Sequence, residues 1–241
     1  MSGNVAPKIV RDSSLVLCLD AANTKSFVVG SATWSDLSLS GLSGSLINGP
    51  TFNSENCGSI VFDGIDDRID ISPINFNLTD LSINTWVNSN DTTINYSRII
   101  QKSDTSSTTK GFLIVNSNID GKLVFVYQPT YNTSEILKRS TTIMSNNIWY
   151  HITMTYNSIN GIKIYFNGVE DLGEISTSPD VGWTSNTGNL FSIGTRAGGF
   201  TSGIGYQAFN GRISQTFIYN RVLSPTEISQ NFNATRKRFG L

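Results

Sequence analysis

The chain is short of several residue types, and each shortage closes a route. Its 241 residues include two cysteines, Cys18 and Cys57, and one histidine, His151. Two cysteines make no disulfide framework, so free thiols are expected. Whether Cys18 and Cys57 pair is a matter of geometry that spacing does not decide. One histidine and two scattered cysteines leave no usual zinc donor set. A Ser/His/acid triad would have to use that same histidine, which sits inside a strand-like run. Charged residues make up 15% of the chain and the net charge is −1. No nucleic-acid or anionic-membrane partner is therefore expected. No apolar run approaches the ~18 residues of a membrane span, and the first residues hold no signal-peptide core. Glutamates are few: Glu55, Glu135, Glu170, Glu174 and Glu227. Glycoside hydrolysis needs two carboxyls ~5–9.5 Å apart. Glu170 and Glu174, if extended, would lie ~13 Å apart at ~3.3 Å per residue. No catalytic residue is assigned, and the chain is read as a non-enzyme.

What is present is polarity without charge. Ser, Thr and Asn together form about a third of the sequence, beside 38% hydrophobic and 10% aromatic residues. That composition suits short strands joined by many turns. Strands are expected at Leu15–Asp20, Ile60–Asp63, Arg68–Ile71, Leu81–Val87, Arg98–Lys102, Phe112–Asn116, Lys122–Gln128, Trp149–Tyr156, Ile162–Asn167, Leu190–Gly194 and Gly211–Tyr219. In Tyr150–Tyr156 the residues Tyr150, Ile152, Met154 and Tyr156 share one face, and His151, Thr153 and Thr155 the other. Asn167-Gly168 and Asp120-Gly121 are hairpin signals. Half-polar alternation with short connections predicts an all-β fold, an antiparallel sandwich of two face-to-face sheets.

The flanks differ. Residues 1–13, with Pro7, read as an arm. Ser224-Pro225-Thr226-Glu227 is a capping box with Pro at the first helical position, and it predicts one short C-terminal helix over Ser224–Asn233. Residues 234–241 read as a basic tail carrying Arg236, Lys237 and Arg238. One domain, 14–233, lies between.

Taken in order, the motifs resemble laminin-G-like jelly rolls of the concanavalin A-like lectin/glucanase superfamily. They are Ser59–Ile71 with its Phe-Asp-Gly, Leu81–Val87 with Trp86, the Trp149–Tyr156 and Ile164–Val169 hairpin, and Phe209–Ser224. Leu15–Asn23 and Asn233–Leu241 are similar, more narrowly, to segments of tailed-phage structural proteins. The resemblance implies a non-catalytic structural or decoration component on a virion surface, made in the host cytoplasm. Its partners would be other virion proteins or copies of itself. The alternative is a tail-fibre type adhesin that binds host-surface carbohydrate.

Three candidate sites follow. Asp63, Asp66 and Asp67 surround Gly64 on a turn. They serve either as turn caps, with Asp70 and Arg68 nearby, or as oxygen ligands for Ca²⁺. Where relatives often carry an acidic pair, this chain has Ser214-Gln215, which favours the capping reading; no other cofactor is expected. Tyr127, Tyr131, Trp183, Phe200 and Tyr206 are the aromatic candidates for stacking on sugars, set among Gly, Ser, Thr and Asn. Arg236, Lys237 and Arg238 are the candidate assembly contacts.

Overall fold

The computed structural model describes residues 7–71, 80–93, 96–102, 111–116, 120–128, 136–176, 191–195 and 207–241. In chain order the strands are β1 (Leu15–Asp20), β2 (Thr33–Trp34), β3 (Gly44–Ile47), β4 (Thr51–Asn53), β5 (Ser59–Asp63) and β6 (Arg68–Ile71). Next come β7 (Asp80–Ser89), β8 (Arg98–Lys102), β9 (Gly111–Asn116), β10 (Lys122–Gln128), β11 (Ile136–Ile143) and β12 (Trp149–Asn157). Then follow β13 (Gly161–Phe166), β14 (Val169–Asp171), β15 (Glu174–Ser176), β16 (Phe191–Ile193) and β17 (Asn210–Tyr219), and last the helix α1 (Pro225–Thr235).

The strands make two antiparallel sheets. The first runs β14-β13-β12-β7-β17-β5-β4, with β1 also on β17. The second runs β15-β11-β10-β9-β8-β16-β6-β3-β2. β17 is the keystone of the first sheet. One edge pairs with β7, and the other is shared by β5 at residues 210–213 and β1 at residues 215–219. The bulge between Ile213 and Gln215 falls where the partner changes, and a bulge adds the local bend such a junction needs.

Alternation decides the layers. Leu19, Phe62, Ile83, Ile152, Met154 and Ile218 from the first sheet meet Ile71, Ile100, Phe112, Ile114, Phe125 and Phe191 from the second in one buried core. Burying a side chain of this size contributes ~1.5–3 kcal/mol, so this interior dominates the fold's stability. The outer face of the first sheet is covered by α1, the 3₁₀ turn Arg236–Phe239 and the arm. The outer face of the second sheet carries Leu113, Val115, Val124, Val126 and Leu137, none more than 4% exposed. It is no solvent-open groove.

The expected strands are all present within a few residues. The structure adds β2, β3, β4, β11, β14 and β15. Asn167 and Gly168, both at positive φ, turn β13 into β14 as the Asn-Gly signal required. The helix runs two residues beyond Asn233, to Thr235. Cys18 is buried, Cys57 is exposed, and both are free thiols.

Candidate functional site

The Asp63–Asp67 turn joins β5 to β6 at one end of the sandwich. Carboxylate oxygens of Asp63, Asp66 and Asp67 all lie within 4.8 Å of one another. Asp63 Oδ1 accepts the Ile65 N–H at 2.7 Å, and Asp67 Oδ2 accepts the Asp63 N–H at 3.0 Å. The aspartates therefore do cap their own turn, while Arg68 turns away to pair with Asp70 at 3.0 Å. Asp63 and Asp66 are exposed; Asp67 is only 5% exposed. Burial, followed by the neighbouring Asp63 and Asp66 charges, pushes its carboxyl up to about 6. A proton or a hard cation relieves that crowding. The oxygens not held by backbone N–H groups, on all three aspartates, are of the kind and spacing such a cation takes.

This end of the sandwich gathers further polar groups. Asn90 Nδ2 donates to Asn210 Oδ1 at 2.9 Å, and the Thr92 hydroxyl donates to Asn146 Oδ1 at 2.9 Å. A Cβ on Gly64, at φ +80°, would stand 2.8 Å from Asn210 Cβ, so the acidic turn and Asn210 pack as one surface. Gly194 and Phe209 pack at this end too. Gly194 sits against Phe62 and the Asp67 carbonyl, Phe209 packs edge-on to Phe62 at 6.0 Å, and the Phe209 N–H donates to Gly194 O at 2.7 Å. Phe200, Tyr206, Tyr131 and Trp183 lie outside the described residues. Tyr127 is no part of this surface. It is 2% exposed, points into the core at the opposite end, and packs on Tyr156 at 3.7 Å. A ring buried on both faces offers no platform to a sugar, so Tyr127 is a core residue. Asn90 and Asn210 escaped the sequence reading because 120 residues separate them.

The basic tail is a docked element rather than a solvated one. Phe239 inserts between Trp86, at 3.9 Å, and Trp149, at 4.8 Å. Arg238 bonds Asp20 at 3.0 Å and the Ser214 hydroxyl at 2.9 Å. Asn56 braces this corner, donating to the Arg238 carbonyl and accepting from Trp149 Nε1. Arg236 lies 5.9 Å from the Phe232 ring. Of the three proposed assembly contacts, only Lys237 is exposed. The described part of the arm is held the same way. The Val10 N–H donates to Asn231 Oδ1 at 2.7 Å, and Tyr219 OH donates to the Val10 carbonyl at 2.9 Å. Both flanks are thus tied to their own sheet.

Glu170, Glu174 and His151 are placed apart from one another. Gly173, at φ +53°, breaks the run between Glu170 and Glu174 and sends them to different sheets. Glu170 pairs with Lys163 at 3.1 Å, and Glu174 stands in register with Arg139. His151 is 1% exposed between Trp86 and Phe232, and burial lowers its imidazole to about 3. It stays neutral and packs.

Residues 63–229 match a family model described as the concanavalin A-like lectin/glucanases superfamily, of the laminin-G type. The chain belongs to this family. The matched span opens on the acidic turn and ends inside α1, so β1–β4 and the 3₁₀ turn lie outside it. Among solved structures, the laminin-G-like module is similar to domain 4 of AbnA, a GH43 extracellular arabinanase from Geobacillus stearothermophilus, solved in complex with arabinotriose. The TM-score is 0.66 at 16% identity, over 90% of this chain and 98% of that domain. It is similar to the binding domain of Paraclostridial Mosquitocidal Protein 1, with TM-score 0.64 and 19% identity over 92% of this chain and 52% of that one. The Botulinum neurotoxin type G receptor-binding domain gives 0.62 and 16%, over 91% and 51%. The module thus spans about half of each toxin domain. No curated protein matches the sequence.

Proposed function

We propose that the module is a non-catalytic carbohydrate-recognition domain that presents the end of the sandwich bearing the acidic turn. The observation that carries this reading is convergence. Asp63 and Asp66 and the Asn90–Asn210 pair meet on one surface. Amide and carboxylate groups suit sugar hydroxyls. The arabinotriose complex of the similar arabinanase domain supports the same class of ligand. A glycan array probed with the purified chain tests it. Binding should appear for wild type and fall at least tenfold in an Asn90→Ala/Asn210→Ala variant that still melts cooperatively. Equal binding by both would remove this surface as the site.

A virion setting is the second reading, and one observation favours it. Leu15–Asn23 and Asn233–Leu241, the two segments similar to tailed-phage structural proteins, meet through Asp20 and Arg238. Their contact lies on the outer face of the first sheet, with Lys237 exposed. In this reading that face is directed to the particle, made of other virion proteins or copies of the chain, and the acidic end faces outward. Particles assembled with Lys237→Glu should carry less of the module; unchanged incorporation would reject this face as the anchor.

A further inference from the structure

At the end of the sandwich away from the acidic turn, on the outer face of the first sheet, lies a cleft of about 440 Å³. Its walls are the β12–β13 hairpin and the connection from β17 into α1. We propose that this cleft is a separate saccharide site for a neutral sugar unit, a proposal that rests on the recognition role given above.

Size and chemistry both point there. The volume lies within the ~300–1,000 Å³ of small-molecule sites. Both cations beside the cleft are already paired, and the carboxylates outnumber them by one. Arg221 bonds Glu227 at 2.6 Å and Asp12 at 2.7 Å, and Lys163 bonds Glu170 at 3.1 Å. The start of α1 is likewise closed by the Ser224–Glu227 capping box, so the helix end holds no open anion site. What remains is neutral hydrogen-bonding capacity. Thr155, 2% exposed, lines the cleft. Asn157 Oδ1 accepts the N–H groups of Ile159 at 3.1 Å and Asn160 at 2.6 Å, which leaves its Nδ2 to donate outward. The Tyr165 hydroxyl reaches Glu170 only at 3.5 Å. Burial, then Glu170, pushes that phenol up to about 12, so it remains a donor. At Gly161 a Cβ would meet nothing within 4 Å, which leaves room on the floor. The exposed Pro225 supplies an apolar wall for the C–H face of a sugar ring. An acidic sugar would instead bring its carboxylate near Glu170 and Glu227.

The test is an amide NMR titration of the full chain with arabinotriose, cellotriose and maltotriose, and with 3′-sialyllactose as the acidic contrast. The expected result is shifts at Thr155–Lys163 and Arg221–Glu227 with a neutral trisaccharide at millimolar concentration, and none there with sialyllactose. A Thr155→Val/Tyr165→Phe variant should bind about tenfold more weakly, since each lost neutral hydrogen bond costs ~0.5–1.5 kcal/mol. Asn160→Ala, on the exposed turn, gives the same readout should the double variant fail to fold. Shifts confined to Asp63–Asp67, Asn90 and Asn210 would overturn the cleft and leave the recognition role standing. No shift with any neutral trisaccharide would also overturn the cleft, and the array would then judge the recognition role by itself.

Discussion

Asp67 and Glu227 titrate in opposite directions because their surroundings differ. Glu227 is held at about 2, chiefly by its hydrogen bond from Arg221 and then by the Ser224 N–H. Its contribution to stability is complete above the ordinary glutamate value of 4.5 and is lost as pH falls toward 2. Asp67 holds its proton up to about 6, against 3.8 for an ordinary aspartate. Between those values unfolding releases a proton, so rising pH favours the unfolded chain and this contribution is lost. Thermal melts in chelator from pH 3 to 7 separate the two. Asp67→Asn should remove the decline between about pH 4 and 6, and Glu227→Gln should flatten the acid side below about pH 4.5. If Asp67→Asn leaves the profile unchanged, the crowded carboxyl is not protonated as described. Adding Ca²⁺ at pH 7 should raise the melting temperature of wild type more than that of Asp66→Asn; equal shifts would mean that the turn takes no cation. The Asp-Gly-x-Asp-Asp spelling made this turn legible in the sequence. That Asp67 is buried was not, because the backbone against it comes from elsewhere in the chain, Gly49 beside its carboxylate and Gly194 beside its carbonyl.

At the scale of elements, the sequence revealed strands that bury a whole face and missed those that do not. β11 reads Ile-Leu-Lys-Arg-Ser-Thr-Thr-Ile, with both charges within the strand, and it is fixed by pairing with β10 and β15 rather than by alternation. Asp171 reinforces it, accepting the N–H groups of Thr141 and Thr142, the Thr141 hydroxyl and the Gly173 N–H. Burial opposes ionisation of Asp171, but these donors outweigh it and lower its pKa. The helix start was legible because a capping box is a local code, and both of its hydrogen bonds form. Ser224→Ala should cost ~1 kcal/mol in denaturant unfolding; no measurable loss would show that Pro225 and the Arg221–Glu227 pair suffice. The docking of the tail was not legible, because its anchor is the apolar Phe239 that follows three consecutive charges. Phe239→Ala, which opens the Trp86–Trp149 box, should cost ~3–5 kcal/mol. A change under ~0.5 kcal/mol would show that the 3₁₀ turn is not docked as described.

For the whole molecule, the fold followed from period-two alternation and turn residues, because each sheet has one face in a shared core and the pattern repeats along the chain. The site is less legible. Its parts come from β5–β6, the end of β7 and the start of β17, and only pairing in the first sheet brings Asn90 beside Asn210. Layering also explains why Tyr127 is no stacking candidate: it lies near the end of β10, but it faces the core. The central claim, recognition without turnover, is tested most directly by affinity electrophoresis through gels containing single polysaccharides, with reducing ends assayed in the same samples. The account predicts retarded migration in at least one neutral polysaccharide, with no reducing ends released above the blank. Release of reducing ends by the purified chain, or unretarded migration in every polysaccharide, would contradict it.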